Sequence, residues 1–433
     1  MKVLLVAPPS GKNILPVIPL GMLYIAATVE NAGHTVKILD LGFSKNYIRE
    51  LSETIEEFSP DVLGLSLRNI AECIELTFVY ELYRKLVEVA KSVPMIVLGG
   101  AGFSIVHEEL LSYTGAHCGI VGEGEKEFVN LLNAFEHGEL FDDINNITKK
   151  IWKAGKLEKF NEVNTMAVRY KHWQKYGKFY SVAGSAIPIQ ASRGCEKGCI
   201  YCSYPVIQGN LLRHRHINDV LDEFKSVSEM PGVREVFFVD SVFNADVNYI
   251  RKLVSAIIEK SGESKFVRWR CCLSPIGMDV RLAYMLNKAG CIGCDLGIDS
   301  LSNNVLSSLN KGYTSYQAIE AAHALERNNI PYNIGLIFGS PDETEETIEE
   351  TLENVKKLKP SSINAFIGVR IYPETPLERK ISFSRKAEKP VCSYMWPNQF
   401  SFLLEDKVKI KLRELISNAP NKWHFSNASI LEE

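Results

Sequence analysis

Apolar runs rich in Val, Ile and Leu alternate with stretches of helical periodicity in two long series along the 433-residue chain, and this alternation leaves few folds open. The first series reads "KVLLVAPP", "PLGMLYIAATVENAG", "HTVKILDLG", "DVLGLSLRN", "FVYELYRKLVEVAKS", "PMIVLGG" and "CGIVGEGEKEFVNLLNAFEHG". It predicts an α/β domain over residues 1–137 with an open parallel sheet, in which ligands lie beyond the carboxyl ends of the strands. The loops carrying Pro8, Arg68, Asn69, Gly99, Gly100, Gly122 and Gly124 are therefore expected to hold a cofactor. Glycines there let backbone approach a ligand closely, although they also suit ordinary tight turns.

Residues 138–184 break the alternation. "NITKKIWKAGKLEKF" reads as a hairpin about Ala154-Gly155, and "YKHWQKYGKFY" as part of a solvated linker. The second series follows with strands at "AIPIQAS", "EVFFVDS", "VRWRCCLS", "IGCDLGID", "YNIGLIFGS" and "INAFIGVRIYP", separated by helices such as "VNYIRKLVSAIIEKS". Six β/α units in succession predict an incomplete parallel barrel over residues 185–377, with its active site at the strands' carboxyl ends. Residues 378–433 form a small C-terminal extension whose helical segment, "VKIKLRELISNA", is expected to close the barrel's open side.

The loop after the first barrel strand, "ASRGCEKGCIYCSYP", brings Cys195, Cys199 and Cys202 within eight positions. Structural zinc needs a fourth protein ligand, and neither His214 nor His216 stands at a usual finger spacing. A 4Fe-4S cluster held by three thiolates leaves one iron open to a substrate, while Gly194 and Gly198 let the loop fold tightly around it. Cys271 with Cys272, and Cys291 with Cys294, lie on opposite faces by strand alternation, so they read as packed thiols rather than metal pairs. Inward-facing Cys272 alone stays a candidate for chemistry.

Strand alternation also sorts the barrel's polar residues. With the apolar set packed outward, Gln190, Asp240, Arg268, Arg270, Cys272, Asp295, Asp299, Asn333 and Arg370 point inward. This polar interior suits a zwitterionic, sugar-bearing ligand, with Arg270, Asp299 and Arg370 the leading contacts and Arg270 and Cys272 the candidates for catalysis. Some of these residues are also expected to pair with one another.

Forty-nine basic against fifty-two acidic residues give a net charge of -3, which offers no extended surface for nucleic acid or membrane. A small-molecule partner is expected instead. The start, "MKVLLVAPPSG", reads as a strand rather than a signal segment, and no run has the length of a membrane span. Ten cysteines without a secretory pattern indicate reduced thiols and a cytoplasmic setting.

The cysteine loop, with its 3- and 2-residue spacers and an aromatic residue before the last thiol, resembles the signature of the radical S-adenosylmethionine (SAM) superfamily. "FFVDSVFN", "GIDSLSNNVLSSLNKGYT", "FGSPDETEETIEET" and "RIYPETPL" are similar to later strand ends of that superfamily. The resemblance implies that the open iron chelates SAM, that an electron from the cluster splits a carbon–sulfur bond to give a 5'-deoxyadenosyl radical, and that Tyr201 lies near the adenine. An electron donor such as flavodoxin or ferredoxin is implied as a partner.

"PLGMLYIAATVENAGHTVKILDL", "VLGLSLRN", "IVLGGAGFSIVHEELL" and "GIVGEGEKEF" resemble the Rossmann-like cobalamin-binding domain that precedes the barrel in one class of these enzymes. The Asp-x-His-x-x-Gly pattern of corrinoid carriers is absent, which implies cobalamin with no histidine beneath cobalt. Arg68 either fills that space or caps a helix or pairs with an acid. The implied activity is methylation of a small molecule through methylcobalamin and the 5'-deoxyadenosyl radical. A first domain serving only as scaffold would instead give rearrangement, cyclisation or aminocarboxypropyl transfer. A third class is a non-catalytic corrinoid or electron-carrier protein.

Overall fold

The computed structural model describes residues 1–9, 15–68, 76–139, 141–143, 146–147, 151–153, 164–262, 266–384, 406–418 and 420–426. Asn69, Ala154-Gly155 and the aromatic stretch "CSYMWPNQF" lie outside the described residues.

The first series folds as a six-stranded sheet of β1 (Lys2–Ala7), β2 (Thr35–Asp40), β3 (Val62–Ser66), β4 (Met95–Gly99), β5 (Cys118–Val121) and β6 (Ile151–Lys153). All of its pairings are parallel and the order is β2-β1-β3-β4-β5-β6. The order reverses between β1 and β3, which opens a crevice beyond their carboxyl ends. Val3 and Leu5 pack on one face while Leu4 and Val6 pack on the other, as a sheet covered by helices on both sides requires.

The expected solvated linker is instead part of the packed structure. Ile151–Lys153 pairs in parallel with β5, and Met166–Ala183 forms an 18-residue helix, α1, that buries Val168, Trp173, Tyr176 and Tyr180. These residues share one apolar core with Val3 and Leu5 of the first sheet and Ile187 and Ile189 of the second. Burial of each large apolar side chain contributes about 1.5–3 kcal/mol, so α1 holds the two sheets together as a wedge. Its polar anchor is Asp40, whose Oδ2 lies 3.0 Å from His172 Nε2 and 2.5 Å from Tyr180 Oη. Burial opposes the Asp40 charge, yet hydrogen bonds from His172 and Tyr180 hold its carboxyl below the usual range.

The second sheet contains seven parallel strands: β7 (Ile187–Ile189), β8 (Glu235–Phe238), β9 (Arg268–Leu273), β10 (Cys291–Asp299), β11 (Tyr332–Phe338), β12 (Ser362–Ile367) and β13 (Trp423–Ser426). Strict alternation of buried with half-buried residues along β11 and β12 puts Tyr332, Ile334, Leu336, Phe338, Ile363, Ala365 and Ile367 in the buried layer and leaves the residues between them, Ile337 and Phe366 included, on the inner face. The C-terminal extension does meet the barrel's open side. Its contribution is a helix, Asp406–Asn418, followed by β13, which pairs in parallel with β12 and adds a seventh strand to the expected six.

Candidate active site between the two sheets

The cysteine loop leaves β7 and is fixed at its base by Asp240. This carboxylate accepts hydrogen bonds from the backbone N–H groups of Ala191, at 3.2 Å, and Ser192. The sequence placed Asp240 against a cofactor; the structure makes it the loop's anchor. Burial raises its carboxyl to about 7, against the lowering effect of those hydrogen bonds. Gly194 turns the loop with a φ of 87°, and a Cβ there would stand 2.0 Å from the Leu211 carbonyl oxygen. Cys195 and Cys199 are buried, while Cys202 is half-buried and faces a cavity. Among the described residues no three His, Cys, Asp or Glu side chains converge on a single metal ion. The donor set fits an iron–sulfur cluster, in which each cysteine binds a separate iron.

That cavity, of about 620 Å³, is walled by both sheets. On one side stand the carboxyl-end loops of β3, β4 and β5, including Arg68, Gly99, Gly100, Gly122 and Gly124; on the other stand Tyr201, Cys202, Tyr204, Phe366, Arg370 and Tyr372. Gly100 has a φ of 101°, and a Cβ on it would come 2.4 Å from the Leu67 carbonyl oxygen. Ser104 ties two of the glycine loops together, donating to the Gly100 carbonyl at 3.0 Å and accepting from the Gly122 N–H at 2.9 Å. Arg68 lines the cavity and donates to the Val17 carbonyl; no acid within the described residues pairs with it. A chamber with mainly apolar walls, close-approaching backbone and a cation at the β1/β3 crevice fits a corrinoid.

The two walls are fastened by charges that the sequence reading left unassigned. Glu123, which ends the loop after β5, and Glu125, in the first turn of the helix Gly124–Glu136, meet Arg193 Nη1 at 3.4 and 2.6 Å, and Arg213 reaches Glu123 at 2.5 Å. Arg193 also lies 4.9 Å over the Tyr24 ring. All four charged side chains are at most 10% exposed. Arg193 stands two residues before Cys195, so this clamp sets the cysteine loop against the first sheet. Only "GEGE" hinted at it, since acids in a glycine-rich turn read equally well as solvated.

The remaining expected residues divide. Tyr201 donates to Asp299, which also pairs with Lys311, another residue missed in the sequence. Arg370 lines the cavity over the Phe366 ring at 5.8 Å, with Nη1 3.3 Å from Tyr372 Oη. Arg270 is not in the cavity: its Nε pairs at 2.8 Å with Glu235 near the strands' amino ends, where its side chain is 46% exposed. Strand alternation gives the face of a residue but not its height along the barrel, which explains that error. Asn333 donates to Asp295 at 3.0 Å, one of the expected internal pairings. Pro8, at the end of β1, is absent from the cavity wall, as is Cys272, whose thiol burial pushes up to about 12. Cys291 and Cys294 are packed core thiols, although not on opposite faces. A bulge in β10 skips Ile292 against β9, and both join Cys271 in the buried layer.

The fold sets a loop of three cysteines at the mouth of a partial barrel, facing the glycine loops of a parallel α/β sheet. Residues 189–355 match the model of the radical SAM superfamily and residues 15–132 that of the B12 binding domain. The chain belongs to the radical SAM superfamily, in the class whose barrel follows a B12-binding domain. An uncharacterized methyltransferase of Pyrococcus horikoshii is 25% identical over 380 residues, spanning 83% of this chain and 78% of the relative. The bacteriochlorophyllide d C-12(1)-methyltransferase of Chlorobaculum tepidum is 30% identical over 297 residues, 66% of this chain and 60% of that one. Among solved structures, a radical SAM methyltransferase from Kitasatospora setae with cobalamin and a 4Fe-4S cluster bound aligns with a TM-score of 0.76 at 23% identity, covering 88% of this chain and 78% of that one.

Proposed function

We propose that the protein methylates a small-molecule substrate held in the shared cavity. The observation that carries this reading is the cavity itself, with the glycine loops of the B12-binding domain on one wall and Cys202 and Tyr201 on the other. The similarity to proteins named as methyltransferases supports it.

Cys195, Cys199 and Cys202 would hold the cluster, and the loops at Gly99, Gly100, Gly122 and Gly124 would take the corrinoid at backbone distance. When bound, these groups supply a one-electron cleavage of SAM and a carrier for its methyl group. The polypeptide orients the reactants and excludes water. Arg370 has no acid partner within the described residues and offers its guanidinium to a carboxylate, with the ring of Phe366 beneath it. Arg68 would add a fixed cation to the wall that takes the corrinoid. Phe366, Tyr372 and Tyr204 provide much of the ring surface around the substrate space.

The test is anaerobic reconstitution with iron, sulfide and hydroxocobalamin, followed by incubation with SAM and a low-potential reductant. Corrinoid retained through gel filtration, with S-adenosylhomocysteine and 5'-deoxyadenosine as products, is the expected result. Deoxyadenosine formed at the same rate without corrinoid, and no S-adenosylhomocysteine, would instead indicate a radical rearrangement.

A further inference from the structure

The cysteine loop is braced from outside by the turn after the helix Asn303–Ser308. Ile200 N–H donates to the Leu309 carbonyl at 3.1 Å, and Asn310 Nδ2 donates to the Gly198 carbonyl at 2.7 Å. Lys311 Nζ lies 3.2 Å from Tyr201 Oη and pairs with Asp299. Three consecutive residues of one turn therefore grip residues 198, 200 and 201. Asn310 and Asp299 hold left-handed backbone angles, with φ of 55° and 66°, a conformation that Asn and Asp adopt more readily than other non-glycine residues.

The Lys311 side chain is 9% exposed and that of Asp299 13%. The ammonium also lies 5.6 Å over the Tyr201 ring and 5.8 Å over that of Tyr313, whose hydroxyl is fixed to the Gly297 and Ile298 carbonyls at 2.9 and 2.6 Å. A charge held this firmly in a medium of low dielectric acts strongly on its neighbours and is little screened by salt. Tyr201, which Lys311 touches, stands between Cys199 and Cys202 in the loop.

We propose that Lys311 is a positioning residue that sets the reduction potential of the cluster held by Cys195, Cys199 and Cys202, with Asp299 as its opposing charge. The inference rests on the reading of that loop as a cluster site. Reduction adds one electron to the cluster, and a nearby cation stabilises the more negative form. Removal of the cation makes the cluster harder to reduce; removal of the opposing acid makes it easier.

The test uses full-length, anaerobically reconstituted protein. Iron and sulfide are first measured in wild type, Lys311→Met, Lys311→Arg and Asp299→Asn, and each is then titrated potentiometrically by EPR. For Lys311→Met the ratio of reduced to oxidised cluster at the wild-type midpoint should fall about tenfold, equal to about 59 mV for a one-electron couple. Asp299→Asn should shift in the opposite direction, and Lys311→Arg should stay with wild type. If Lys311→Met does not assemble a cluster, Asp299→Asn still decides: a positive shift supports the proposal and no shift, or a negative one, overturns it. Equal potentials in clusters that load fully would also overturn it, whereas wild-type protein that holds no iron–sulfur cluster would refute the underlying site reading.

Discussion

Arg193 Nη1 and Glu125 Oε1 meet at 2.6 Å across the junction of the two sheets, each side chain less than a tenth exposed. Removing one partner from a buried pair leaves the other charge desolvated, at a cost of about 3–5 kcal/mol. Arg193→Ala should lower the denaturation midpoint accordingly, while Arg193→Met combined with Glu125→Leu recovers most of the loss. A double-mutant cycle in urea measures the coupling. A cycle in which the two single costs simply add would mean that the clamp does not exist.

The three loop thiols and the other buried thiols should separate cleanly by iron content. Ala at Cys195, Cys199 or Cys202 is expected to abolish assembly of a 4Fe-4S cluster. Cys272→Ala and Cys291→Ala should retain the full iron and sulfide content, because the first lies off the cavity wall and the second is packed beneath the sheet.

Gly99 and Gly100 offer a paired test of the corrinoid wall. At Gly100 an added Cβ meets the Leu67 carbonyl oxygen at 2.4 Å, so Gly100→Ala should lose both stability and corrinoid. At Gly99 the nearest atom to an added Cβ is the Ile120 oxygen at 3.9 Å, which the protein accommodates. Gly99→Ala should therefore fold as wild type while binding cobalamin at least tenfold more weakly, as read from corrinoid absorbance after gel filtration.

Glu343 gives stability a pH dependence of defined sign. Its Oε2 accepts the backbone N–H groups of Gly339 and, at 3.2 Å, Ser340, and burial raises its carboxyl from 4.5 to about 7. The folded state thus holds this proton more tightly than the unfolded chain. The resulting stability is complete below about pH 4.5 and is lost as pH rises through 7. From pH 5 to pH 8 wild type should lose up to about 3 kcal/mol that Glu343→Gln, which keeps an acceptor oxygen, does not. Urea titrations at both values check this, and parallel slopes for the two proteins would contradict it.

Much of the architecture was legible because it is local and periodic. Val3 to Val6 announce a strand buried on both faces, and the spacing of Cys195, Cys199 and Cys202 announces a single compact loop beyond the first barrel strand. What stayed hidden depends on position in three dimensions. Arg270 and Arg370 look alike in an alternating pattern, yet one sits near the strands' amino ends and the other at their mouth. Met166–Ala183 carries polar and aromatic residues all round, and it reads as a linker until Asp40 is found buried against His172 and Tyr180. Lys311 lies 110 residues from the Tyr201 hydroxyl it touches, and no local signal joins them. The bulge that turns Cys291 into the buried layer beside Cys271 needs only Ile292 to slip from register, which composition cannot announce.

The claim that corrinoid and cluster share one chamber is tested most directly by EPR of the reduced cluster with and without cob(II)alamin in the same protein. Residues of both walls face a single cavity, so the account predicts that each paramagnet broadens the signal of the other and speeds its relaxation. A spectrum equal to the sum of the two separate signals would contradict it.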